Sequence, residues 1–149
     1  MIWSVAVDLK QIQHQGRNFP WPRPEACPRC HQWRVWGHGY ALRYFAGFAE
    51  ALPMKCYRCP LCRCVVTARP ANYFPRIRNC IAVIVTCLTH RVQQGRWPPL
   101  ALPRPRLRHW LANLKQRIQI HLTNTWSDGL LQGYDQLLAC CLVPIARVS

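Results

Sequence analysis

Acidic residues are scarce in this chain. Five Asp and Glu stand against 20 Lys and Arg, for a formal net charge of +15 at pH 7. None lies between Glu50 and Asp128, the interval that holds Lys55, Arg58, Arg63, Arg69, Arg76, Arg78, Arg91, Arg96, Arg104, Arg106, Arg108, Lys115 and Arg117. Surface ion pairs cannot neutralise such a stretch, so its charge points to a polyanionic partner, most simply nucleic acid. The same shortage argues against catalysis. A two-ion hydrolytic site needs clustered carboxylates to hold its metals, and Asp8, Glu25, Glu50, Asp128 and Asp135 fall on separate segments. Glycine-rich phosphate loops are missing, no Cys/His pair is positioned as a nucleophile, and no RNase-H-like alternation of strands and helices follows residue 78. A protein without catalytic residues is expected.

Two further absences bear on location. Met1 to Asp8 lacks a basic start followed by a long apolar run and a small-residue cleavage site. The longest apolar run, Cys80 to Leu88, is far short of the ~20 residues that cross a bilayer. A cytoplasmic protein with no membrane partner is expected, with its ten cysteines reduced and directed to metal rather than disulfides.

Two segments carry most of the remaining information: Cys27-Pro28-Arg29-Cys30 and Cys59-Pro60-Leu61-Cys62. Cysteines three apart on a tight turn aim both sulfurs at one ion, and proline between them pre-sets the bend. Two such turns supply the four thiolates of a closed structural zinc site. The expected cofactor is therefore one Zn²⁺ on Cys27, Cys30, Cys59 and Cys62, with an iron–sulfur centre as the other chemistry open to four thiolates. The second pair is drawn from a ladder, Cys56, Cys59, Cys62 and Cys64; only Cys59 and Cys62 repeat the Cys-Pro-x-Cys form. Cys56 or Cys64 remains an alternative ligand, as do His31 and His38. Cys80, Cys87, Cys140 and Cys141 lie on apolar helical stretches and read as core fillers.

The predicted fold class is α+β: a small antiparallel β zinc ribbon followed by a three-helix, helix-turn-helix-like module. Residues 1–26 read as an N-terminal leader, 27–76 as the ribbon and 77–149 as the helical module. In the ribbon, Trp33 to Trp36 and Tyr40 to Phe45 flank Gly37-His38-Gly39 as a hairpin turn. Leu52 to Tyr57 and Cys64 to Ala68 make a second pair with the Cys59–Cys62 turn at its tip. From Ile77 the period changes to three and four, predicting a helix over 77–94 ended by Gly95. A proline-rich loop (97–105) precedes a second helix striped by Leu107, Leu111, Leu114, Ile118 and Leu122. A third helix is expected from Ser127, with Leu130, Leu131, Tyr134, Leu137, Leu138 and Cys141 inside.

The run Cys27-Pro28-Arg29-Cys30, Trp36-Gly37-His38-Gly39, Tyr57-Arg58-Cys59-Pro60-Leu61-Cys62, Val66-Thr67-Ala68-Arg69-Pro70 and Phe74-Pro75-Arg76 resembles the N-terminal zinc ribbons of insertion-sequence transposases. It is also similar to a family of small bacterial proteins built on the same ribbon. The resemblance covers residues ~25 to 78. It implies DNA binding by a helix-turn-helix placed after the ribbon, although Arg63 stands where such ribbons carry glycine and the 97–105 loop is longer than the usual turn of about 3–4 residues. On this reading Arg76, Arg78, Arg104, Arg106, Arg108, Lys115 and Arg117 contact nucleic acid, DNA in preference to RNA, with Arg106 to His121 as the basic recognition helix. Two other readings stay open. Seven tryptophans, several beside arginines, suit an RNA- or single-strand-binding module, although Trp36, Trp110 and Trp126 read as core anchors. The apolar Cys80–Leu88 run suits a homodimer or a small subunit of a larger nucleoprotein complex.

Overall fold

In the stretch 52–70, apolar and polar residues alternate around the Cys59–Cys62 turn, and two paired strands result. The computed structural model describes residues 1–122 and 129–147 as an α+β protein with a four-stranded mixed sheet and four helices. These divide into two compact units, Met1–Cys80 and Ile81–Ser149.

The first unit holds the sheet, in the order β1-β4-β3-β2, from β1 (Ile2–Val5), β2 (Trp36–Arg43), β3 (Leu52–Arg58) and β4 (Val65–Pro70). β2, β3 and β4 pair antiparallel in chain order, whereas β1 lies parallel to β4 with Ile2 opposite Thr67 and Val5 opposite Pro70. Residues 1–26, expected as a leader, thus supply an edge strand. They also supply a short helix, α1 (Leu9–Gln15), whose first turn is capped by the Asp8 carboxylate accepting from Lys10 N–H at 2.9 Å. Strand alternation sends Leu52, Met54 and Cys56 to one face of β3 and Tyr57 to the other. Leu52 and Met54 join Leu9 and Ile12 of α1, Phe19 and Phe45 in one apolar cluster. Tyr57 joins Val5, Val35, Ala68, Cys27 and Cys59 in the other.

The hairpin turn expected at Gly37-His38-Gly39 does not form. β2 runs straight through these residues, and the ladder slips between Gly37 and Tyr40. Gly39, at φ +87°, supplies the left-handed residue of this irregularity rather than reversing the chain. Reversal comes at 44–51, which joins β2 to β3. Trp36, expected in the core, is 63 % exposed, because β2 is an edge strand with no deeply buried face.

The second unit contains α2 (Ile81–Gln94), α3 (Arg104–His121) and α4 (Leu130–Ala139). α2 starts four residues later than its period implies, because Cys80 is held in a β-bridge to Tyr73. Ile84, Cys87 and Leu88 of α2, Leu107, Trp110, Leu114 and Ile118 of α3, and Tyr134 and Leu137 of α4 are buried. The caps expected at Ser127 and Asp128, and the anchor at Trp126, lie outside the described residues. Cys140 and Cys141 are exposed rather than core fillers. They form the end of α4, where Leu142 N–H donates to Leu137 O and Cys141 N–H to Leu138 O, both at 2.9 Å, with Cys141 at φ +57°. No helix among the described residues is long and apolar enough to cross a membrane.

Candidate metal centre and basic surfaces

Each Cys-Pro-x-Cys turn is closed by its own backbone. Cys27 N–H donates to Gln32 O at 2.9 Å, and Cys59 N–H to Cys64 O at 3.0 Å, five residues on in both cases. The residue after each second cysteine turns left-handed, His31 at φ +57° and Arg63 at φ +56°. The two turns are therefore built alike, and Arg63 takes the conformation that a glycine would favour there.

The turns bring all four sulfurs within 4.8 Å of one another. Cys27 and Cys62 Sγ stand 3.6 Å apart, Cys30 and Cys59 Sγ 3.5 Å. These separations are too long for a disulfide, about 2.05 Å, and close to the roughly 3.8 Å between sulfurs of a tetrahedral site with metal–sulfur bonds of about 2.3 Å. Four thiols this close, two of them fully buried at Cys27 and Cys59, can hold a metal ion. The local field prepares them. The backbone N–H groups of Cys30 and Arg29 draw the Cys27 thiol down to about 6. Cys59 is also lowered: burial opposes this, but the Cys62 N–H and the Cys30 side chain outweigh it. Cys62 is lowered by the Cys64 N–H, yet burial and the thiols of Cys30, Cys27 and Cys59 carry it up to about 12. One thiolate therefore raises the cost of the next, the frustration that a divalent cation relieves.

The alternative ligands fall outside this cluster. Cys56 Sγ is buried against Thr67 Oγ1 at 3.5 Å, and Cys64 Sγ points to Val65 O at 3.7 Å. His31 and His38 are exposed and take no part among the described residues.

The arginines expected at nucleic acid separate by role. Arg76 and Arg78 are exposed in the first unit, where Arg78 lies over the Tyr44 ring at 5.3 Å. Arg104, Arg106, Arg108 and Lys115 are exposed on α3. Arg104 and Arg108 line a groove of about 750 Å³ in the second unit together with Arg91, Arg96 and Trp97. Arg91, Arg96 and Trp97 are not among the expected contacts; in the sequence, the acid-free interval marks the two arginines and the adjacent Arg96-Trp97 pair marks the tryptophan. Arg117 is turned to structural use, its Nε donating to Ala146 O at 2.9 Å. Arg69 is withdrawn from the surface altogether, 8 % exposed and donating to Ile77 O at 2.7 Å. Lacking carboxylates, this chain satisfies several of its guanidinium groups with backbone carbonyls.

Comparison with protein-family models, curated proteins and solved structures finds no match to this chain.

Proposed function

We propose that this chain is a non-catalytic, zinc-dependent nucleic-acid-binding protein that takes duplex DNA on its helical unit, in the setting of transposition or another mobile-element or defence system. The first unit is read as a zinc-ribbon variant extended by β1 and α1, and the second as a helix-turn-helix-like module. Four thiolates within 4.8 Å of one another favour zinc, and a closed set of four leaves no open position for a substrate, which makes the ion structural.

The observation that carries the reading is the groove at the start of α3. Arg91, Arg96, Arg104 and Arg108 converge on it, no carboxylate among the described residues lines it, and the helix begins beside it without a side-chain cap. The helix dipole adds to the attraction for phosphate. From this position the exposed face of α3, with Arg106 and Lys115, extends along the duplex.

The test is binding to a labelled random duplex across a salt series, with zinc content measured in parallel. One zinc per chain is expected, and an affinity falling steeply with salt. Arg96→Ala/Arg104→Ala/Arg108→Ala should weaken binding and reduce the slope of log K against log salt by up to about 3, near 0.9 per lost phosphate contact. Unchanged duplex affinity in that variant would sink the assignment.

A further inference from the structure

The first unit leaves two tryptophans in water. Trp33 is 70 % and Trp36 63 % exposed. Trp33 lies between the first cysteine turn and β2, Trp36 opens β2, and between them Val35 is fully buried, so the chain there is anchored rather than loose. Trp36 sits directly opposite Arg58 in the β2–β3 ladder, and paired residues project to the same face of a sheet. Trp36, His38, Arg58, Pro60 and Arg63 line a concavity of about 420 Å³ that reaches Cys59 of the metal cluster. No carboxylate among the described residues lines it. The side chains of Arg58 and Arg63 have neither a hydrogen-bond nor an ion-pair partner among those residues. Arg63 is held there by the left-handed turn that closes the second cysteine pair.

An aromatic plane flanked by free guanidinium groups matches one ligand chemistry closely: a nucleobase with its neighbouring phosphates. A duplex offers phosphates and base edges, but its base faces are stacked on each other. An exposed indole gains stacking only from a base that is unpaired. We propose that this concavity is a second nucleic-acid site, selective for single-stranded DNA. A base stacks on Trp36, Arg58 and Arg63 hold the flanking phosphates, and Trp33 offers a plane to a further base. This rests on the function proposed above only in taking DNA, rather than RNA, as the polymer. The site belongs to the first unit, whereas the duplex groove belongs to the second.

The experiment uses the full zinc-loaded chain with three labelled probes: a short oligothymidylate, the random duplex and an oligouridylate of equal length. Trp36→Ala should weaken oligothymidylate binding about ten-fold or more while duplex affinity stays within about two-fold. Trp36→Phe, which keeps a ring, should restore most of the loss. Arg58→Ala/Arg63→Ala should lower the single-strand salt slope by about 1.4. Zinc content equal to wild type shows that each variant is folded; should Trp36→Ala lose zinc, Trp36→Leu against Trp36→Phe makes the same comparison.

Wild-type-like oligothymidylate binding by Trp36→Ala or Trp36→Leu overturns the proposal. Tighter binding of oligouridylate than of oligothymidylate overturns the choice of DNA. Duplex binding without any single-strand binding removes this site and leaves the groove on α3. Trp36-dependent oligothymidylate binding without duplex binding does the reverse, and binding of neither probe refutes both.

Discussion

His31 and Arg63 follow the second cysteine of their respective turns, and both sit at φ near +57°. Side chains reach that region at a cost of about 1–2 kcal/mol, tolerated because the turn's backbone hydrogen bonds and its sulfurs fix the chain on both sides. His31→Gly should therefore raise the thermal stability of the metal-loaded first unit by about 1 kcal/mol, seen as a higher melting temperature with zinc content unchanged. A lowered melting temperature would show that the imidazole contributes more than the backbone loses. At this scale the metal cluster was legible in the sequence, because spacing and an internal proline fix where the sulfurs point. The fate of individual arginines was not. Arg69 and Arg117 look like Arg104 and Arg108 in a charge count, yet carbonyls of Ile77 and Ala146 engage the first two. Only tertiary placement separates them. Likewise Trp110 is a core residue at 5 % exposure and Trp36 is not, a difference set by a buried helix stripe in one case and an edge strand in the other.

At the scale of elements, α3 meets α4 over the bare backbone of Gly133. A Cβ built on Gly133 would come within 2.5 Å of Ile118 Cδ1 and 2.8 Å of Cγ1, so the isoleucine fills the space over a bare backbone. Gly133→Ala should destabilise the helical unit by about 1–3 kcal/mol, the usual cost of overpacking. Ile118→Val in the same chain should recover part of it. Denaturant midpoints measure both; a neutral Gly133→Ala would mean that the Ile118 side chain yields its place at no net cost. The helices themselves were readable because a 3.6-residue stripe spans fourteen residues in α2 and eighteen in α3. β3 and β4 were readable from alternation. β1 was not, because four residues hold too little pattern and their partner lies far along the chain. β2 misled for another reason. Its exposed faces remove the alternation that would have marked a continuous strand, and its glycines imitate a turn.

For the whole molecule, the candidate metal site belongs to one unit, while the positive charge is spread over both. All four cysteines of the cluster belong to the first unit, and Cys27 and Cys59 are members of one of its apolar clusters. Metal binding contributes to folding wherever the liganded state is the packed one. Chelation should therefore remove amide-exchange protection across 52–70 while leaving that of 107–118 close to its starting level. Equal loss in both units, or none in the first, would contradict a structural metal. The excess of positive charge, +15 overall, opposes compaction of each unit, so added salt should slow exchange in both and narrow the difference that chelation makes.

The parallel pairing of β1 with β4 also sets an order of events in time. Ile2 is made well before Thr67 and meets its partner only when Thr67 exists, so the strand must wait through the synthesis of everything between. Of the contacts that define the sheet, this is the most distant along the chain, and such contacts are slow to find. An ion captured by the two cysteine turns would close the intervening loop early and shorten that search. Seen this way, a metal bound at the four cysteines would govern how quickly a nascent chain hides this strand, as well as how firmly the finished sheet holds.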